Sequence, residues 1–178
     1  VPGMDLLPAN KELATAEVTL VNEMGRENFL KRTLASLKDY YDIILGDCQP
    51  TLGQLTLNAL TAADGVIVPL QCEYFALHGF RQLQENLEKV RINLNPSLNL
   101  IGILATMYDK QTLHSRQVLE RILEAFPESV FETVIAQTVR FPETTVAGEP
   151  ITTYAKNSGG AASYRRLARE LIAIGGTR

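Results

Sequence analysis

With 178 residues, 46% of them apolar and 21% charged, the chain is long enough to bury one continuous core, and its composition excludes a disordered or low-complexity protein. The 17 Lys and Arg stand against 20 Asp and Glu, a formal charge of −3, which excludes a globally basic nucleic-acid binder and leaves any such affinity to a local patch. No apolar run approaches the ~18 residues of a membrane span and no leader pattern occurs, so nothing argues for membrane insertion or export and a cytoplasmic location is expected.

In chain order, short apolar runs at residues 4–7, 42–47, 65–70, 98–106 and 130–135 read as strands, each bounded by Gly, Pro, Asn or Asp. Their interiors do not alternate with polar residues, so both faces are expected to be covered, as in a parallel sheet. A helix rich in small and aliphatic residues, "TLNALTAADG", follows the second run. Phe80, Leu83, Leu87, Val90 and Leu94 then recur at helical spacing, as do Val118, Ile122 and Phe126, giving each helix one core-facing stripe. Residues 136–157 show no evident element, and a connection of that length is expected to be functional or mobile. The last helix is predicted to start at Ser158, whose hydroxyl can cap it, to carry Tyr164, Leu167 and Leu171 inward, and to stop at Gly175 and Gly176. The alternation of strands and helices predicts an α/β fold, a doubly wound, mainly parallel sheet flanked by helices, without repeats and as one domain.

Cys48 and Cys72 end apolar runs without CxxC spacing or a nearby histidine cluster, so they read as small buried hydrophobes, not as metal ligands or a disulfide. His78 and His114, the 2 histidines, sit in no nucleophile signature. Asp47 is the more informative residue. It closes the run Ile43, Ile44, Leu45, Gly46, which would place its carboxylate at the carboxyl edge of a parallel sheet, where α/β folds bind ligands. In P-loop NTPases an acid so placed holds Mg²⁺ through its water shell. An aspartate that merely caps the next turn has the same local appearance.

The surrounding blocks decide between them. "YDIILGDCQPTLGQLTLNALTAAD", "VPLQCEYFALHGF", "DLLPANKELATAEVTLVNE" and "TVRFPETTVAGEPI" together resemble the ParA-type partition ATPases, the deviant P-loop family that includes MinD, from one end of the chain to the other. The resemblance implies a P-loop NTPase-like fold, ATP and Mg²⁺ as cofactors, a homodimer, nonspecific DNA binding and stimulation by a ParB-type DNA-binding protein, in chromosome or plasmid segregation. A non-catalytic regulatory or scaffold protein that keeps the fold and its surfaces is the other reading. A membrane-linked role is disfavoured, because "LARELIAIGGTR" reads as a core-facing helix with a glycine stop.

Carried over residue by residue, the resemblance makes Asp47 the catalytic, metal-shell acid, and Gln49, Pro50 and Thr51 the start of a switch over residues 49–53 that senses the γ-phosphate. Thr106, Met107 and Gln137 would lie at the strand ends that recognise adenine, although core packing is an equally ordinary use of Met107. Glu73, Tyr74 and Phe75 would lie at the dimer face. Arg140 matches the arginine of the family's DNA surface, Lys110 and Arg116 lie near another of its basic positions, and Arg165 and Arg166 offer a further cluster; a solvated surface would carry the same residues. The chain departs from the family's pattern in three respects. Gln49 replaces the first proline of the usual Asp-Cys-Pro-Pro turn, and Ala136 stands where proline is usual. More consequential, no GxxxxGK[ST] phosphate loop occurs within residues 1–178. The resemblance places that loop ahead of Val1, so the chain is expected to be the C-terminal portion of a single such ATPase domain, lacking the P-loop strand. Since that strand lies mid-sheet in the family, the runs at 43–45 and 101–104 are expected to lose lateral partners.

Overall fold

The computed structural model describes residues 3–49, 51–73 and 76–175, and of residues 76–78 the backbone alone. Pro50, Tyr74, Phe75 and Gly176 lie outside the described residues. The chain divides into two units, one of residues 1–64 and 88–98, the other of residues 65–87 and 99–178.

The first unit is helical. Asn10 caps α1 (Lys11–Thr19) by accepting from the amides of Glu12 and Leu13. Two short 3₁₀ turns, Leu20–Asn22 and Arg26–Asn28, lead into α2 (Phe29–Ala35), and a stretch without regular structure over residues 41–49, bent at Asp42, leads towards α3 (Gln54–Ala62). Polar side chains hold these pieces together. Buried Asn58 of α3 donates to the carbonyl of Arg26 at 2.7 Å and accepts from Leu30 N at 3.1 Å. Buried Asn95 donates to the carbonyls of Leu60 and Ala63, tying the end of α3 to residues 88–98.

The second unit holds the sheet. β1 (Gly65–Gln71) pairs in parallel with β2 (Asn99–Thr106), with a register shift between Val66 and Ile67. A third segment runs along the other side of β2 but touches it only at its ends. Phe131 N donates to Ile103 O at 3.0 Å and Ile135 N to Ala105 O at 2.9 Å, so the segment spends 4 residues where β2 spends 2, and two of them bulge out. Within the bulge buried Thr133 gives its hydroxyl to the Glu170 carboxylate.

β2 shows why its sequence is apolar without alternation. Ile103 and Ala105 face one cluster, with Val68, Leu70, Cys72, Phe80, Val118 and Ile122, and this brings α4 (Ala76–Asn93) and α5 (Leu113–Ala125) onto that face. Leu104 faces the other, with Phe131, Ile135 and Leu167, the last from α8 (Gly159–Ile174). Both faces of a parallel strand are therefore covered, which is the doubly wound α/β arrangement. Phe80 and Phe126 lock the first face edge to face, with centroids 4.7 Å apart. Ser158 caps α8 by accepting from Ala161 N, and Gly175, at φ 114°, ends it in the left-handed region that a side chain disfavours.

Five expectations are corrected. Residues 4–7 and 42–47 are not strands: no described residue pairs with them, and Ile43, Ile44 and Leu45 are 56%, 43% and 83% exposed. Residues 130–135 form isolated bridges because of the bulge. Residues 101–104 keep neighbours on both sides, so they do not lose lateral partners. The stretch 136–157 carries two helices, α6 (Arg140–Ala147) and α7 (Ile151–Tyr154). Cys48 is exposed where Cys72 is buried, because the run it ends has no sheet to enter.

Candidate functional site

Asp47 lies on the irregular stretch that precedes α3, exposed at the surface of the first unit. Among the described residues no group of three or more His, Cys, Asp or Glu is arranged to hold a metal ion. A single exposed carboxylate nevertheless suits Mg²⁺, which keeps most of its water and takes its remaining ligands from one or two acids and from substrate phosphates. Asp47, exposed and ahead of α3, could serve as one such acid.

The turn after it is held from two sides. Thr56 of α3 donates its hydroxyl to the carbonyl of Thr51 at 2.8 Å. Glu17 of α1 accepts from the amides of Gln54 and Leu55 at 2.5 and 3.1 Å, the place a capping side chain would fill, since Gly53 has none to offer. Sequence reasoning missed Glu17, whose partner lies 37 residues away, although its place inside the family-like block "LATAEVTL" was visible. Gln49 and Thr51 are exposed on this turn; Pro50 between them lies outside the described residues.

Thr106, Met107 and Gln137 belong to the second unit, and the backbone brings them together. The carbonyl of Thr106 accepts from Cys72 N at 2.9 Å, and Gln137 N donates to the carbonyl of Tyr108 at 2.9 Å. Met107 stands at φ 53°, alone among the described non-glycine residues in having positive φ, and its side chain is 47% exposed. A strained, exposed residue just past the carboxyl end of a parallel strand is where such sheets present ligand-contacting groups. Burial raises the Cys72 thiol pKa, and a hydrogen bond with Ser115 partly offsets the rise. Ser115 also accepts from Asp109 N, and Thr112 caps α5 beside it.

The basic residues fall on three elements of the second unit. Lys110 is exposed in the turn before α5 and Arg116 on its first turn. Arg140 opens α6 and pairs with Glu143 at 2.8 Å, a hydrogen bond that holds its guanidinium pKa above the ordinary value. Arg165 and Arg166 are exposed on α8, but Arg165 donates to the carbonyls of Lys156 at 2.8 Å and Thr152 at 3.0 Å, so it also fastens the α7–α8 connection. Glu73 is exposed just after β1; its expected companions at the dimer face, Tyr74 and Phe75, lie outside the described residues. A hollow of 320 Å³ lined by Phe141, Thr144, Pro150, Ile151, Thr152 and Tyr164 holds none of the expected site residues. Tyr164 reaches it with 41% exposure, packed edge to face on Phe141 at 5.9 Å, and not from within the core. No described helix is long and apolar enough to cross a membrane.

Known proteins now supply the context. A family model described as an AAA domain matches residues 1–100. An uncharacterized protein of Mycobacterium tuberculosis is 56% identical over 172 residues, covering 97% of this chain and 54% of its own length. The chromosome-partitioning ATPase Soj of Treponema pallidum is 45% identical over 178 residues, covering 100% of this chain and 70% of its own. Among solved structures, cobyrinic acid a,c-diamide synthase from Mycobacterium smegmatis with bound ADP and magnesium is 42% identical with a TM-score of 0.80, over 96% of this chain and 62% of that one. The chain thus spans little more than half the length of the mycobacterial relative. On the match over residues 1–100 and the extent of the likeness to Soj, the chain belongs to the ParA/MinD-type ATPase family, with its P-loop NTPase fold.

Proposed function

We propose that this chain acts in a ParA-like partition ATPase, in which ATP and Mg²⁺ drive homodimerisation, the dimer binds DNA without sequence preference, and a ParB-type partner stimulates turnover. The observation that carries the reading is the placement of Asp47, exposed and directly ahead of a turn that α1 and α3 hold from both sides. That arrangement suits a metal-shell acid and a phosphate-sensing turn: an exposed carboxylate followed by a backbone whose position depends on few contacts. The likeness to a solved protein holding ADP and magnesium supports the cofactors.

In this reading Thr106, Met107 and Gln137 present backbone and side chain to the base, and Glu73 borders the dimer face. Arg140, Lys110, Arg116 and Arg166 supply charge for DNA phosphates, with Arg165 contributing less because its donors already hold two carbonyls. The phosphate cradle must come from outside residues 1–178, which contain no GxxxxGK[ST]. The second reading is a scaffold that keeps the fold and surfaces without turnover.

The test is turnover in the protein that carries such a loop together with this chain. Asp47→Ala is expected to lower kcat by about 100-fold or more, since an anchor of the metal's water shell is lost. Equal kcat in the variant removes Asp47 from the site; no turnover in the wild type selects the scaffold.

A further inference from the structure

The first four amides of any helix lack intrahelical partners, and the residue just ahead usually supplies the first acceptor. Helix α3 departs from that habit. Gly53 makes no side-chain cap, and both carboxylate oxygens of Glu17 reach across from α1 to take the amides of Gln54 and Leu55. The glycine is what admits them: a Cβ there would stand 1.8 Å from Glu17 Oε1 and 3.3 Å from Gln49 Nε2. The same turn is gripped at Thr51, whose carbonyl accepts the Thr56 hydroxyl from within α3. Any shift of the first turn of α3 is therefore passed to Thr51, and any shift of α1 is passed to that first turn.

We propose that Glu17 is a positioning residue for the phosphate-sensing turn ahead of α3, fixing the start of that helix and, through the Thr56–Thr51 contact, the carbonyl of Thr51. The assignment rests on the reading of residues 47–53 as the metal and phosphate-sensing stretch. It also narrows that reading. The amides of Gln54 and Leu55 are committed to a carboxylate of the protein itself, so a γ-phosphate draws its donors from residues ahead of Gln54, with Gln49 and Thr51 the side chains placed to give them.

Amide hydrogen exchange and steady-state kinetics, on the protein with its phosphate loop, test the two parts separately. Glu17→Ala is expected to speed exchange at Gln54 and Leu55 about five-fold, the loss of one ordinary cap, while Asn58 and Thr61 deeper in α3 are unaffected. Glu17→Gln, which keeps one acceptor oxygen, should fall between the wild type and Ala. Gly53→Ala should reproduce the Glu17→Ala pattern by displacing the carboxylate, and serves where Glu17→Ala does not fold. In turnover, Glu17→Ala should lower kcat about ten-fold with the KM for ATP within about three-fold, and Glu17→Gln should recover most of the loss. Unchanged protection at Gln54 and Leu55 overturns the clamp. Faster exchange with unchanged kcat overturns the positioning role. A wild type without turnover overturns the reading of residues 47–53, and the exchange data still judge the clamp.

Discussion

The side-chain amide nitrogen of Gln54 is buried without a hydrogen-bond partner among the described residues. A buried donor left unpaired costs about 1–3 kcal/mol. Gln54→Leu, close in volume and without the donor, is therefore expected to raise stability by about 1 kcal/mol, read as a higher urea midpoint at unchanged slope. A lower midpoint would mean that the amide is bonded after all. Cys72 gives the corresponding statement in pH. Burial lifts its pKa in the folded chain above the unfolded value, so folding favours the protonated thiol. The stability this contributes is present in full below the unfolded pKa and is lost as pH rises through the folded one. Cys72→Ala should flatten the alkaline fall in the urea midpoint, comparing pH about 8 with about 10; an equally steep fall would assign the alkaline loss to other groups.

At the level of elements, what could be read from the sequence depended on whether an element carries its own signal or borrows one. β1, β2, α4 and α5 were legible because unbroken apolar runs and helical stripes record burial on two faces or on one. Residues 42–47 carry the same run, yet pairing is a property of the neighbour and not of the run, and no described neighbour is present. α6 was illegible for three local reasons: it is 8 residues long, its N-cap is Val139, which offers no side-chain acceptor, and Pro142 sits in its first turn, where proline is tolerated but reads as a breaker. The site divides the same way. Asp47 announces itself by ending a run, whereas Glu17 is defined only by an amide far along the chain. α6 also carries a prediction. The Arg140–Glu143 pair offsets the charge that would seek a DNA phosphate. Glu143→Gln should tighten nonspecific DNA binding a few-fold, and Arg140→Glu should weaken it uniformly across sequences with a flatter salt dependence. A titration over several salt concentrations checks both, and equal binding by all three proteins would shift the surface to Arg166 and to Arg169, exposed on the same helix α8.

For the whole chain, apolar surface is unevenly placed. In the first unit Leu6, Leu7, Val18, Met24 and Leu45 are each more than two-thirds exposed, and residues 43–45 have no strand beside them among the described residues. Exposed apolar backbone with open hydrogen-bonding groups recruits other strands. The 178-residue chain is expected to self-associate as its concentration rises, and Ile44→Lys with Leu45→Lys should suppress this. Light scattering over a dilution series decides: a monomer at every concentration, melting cooperatively, would show that the exposed stretch is inert.

The bulge beside β2 has a mechanical meaning. Between Phe131 and Ile135 the segment is anchored at both ends and carries spare length between, and Thr133 at its crest holds Glu170 on α8. That crest is a pin: Thr133 is fully buried where it meets Glu170, and Leu167 of the same helix packs on Phe131 and Ile135 at the two anchors, so the extra residues fasten α8 to the edge of the sheet by a bond shielded from water.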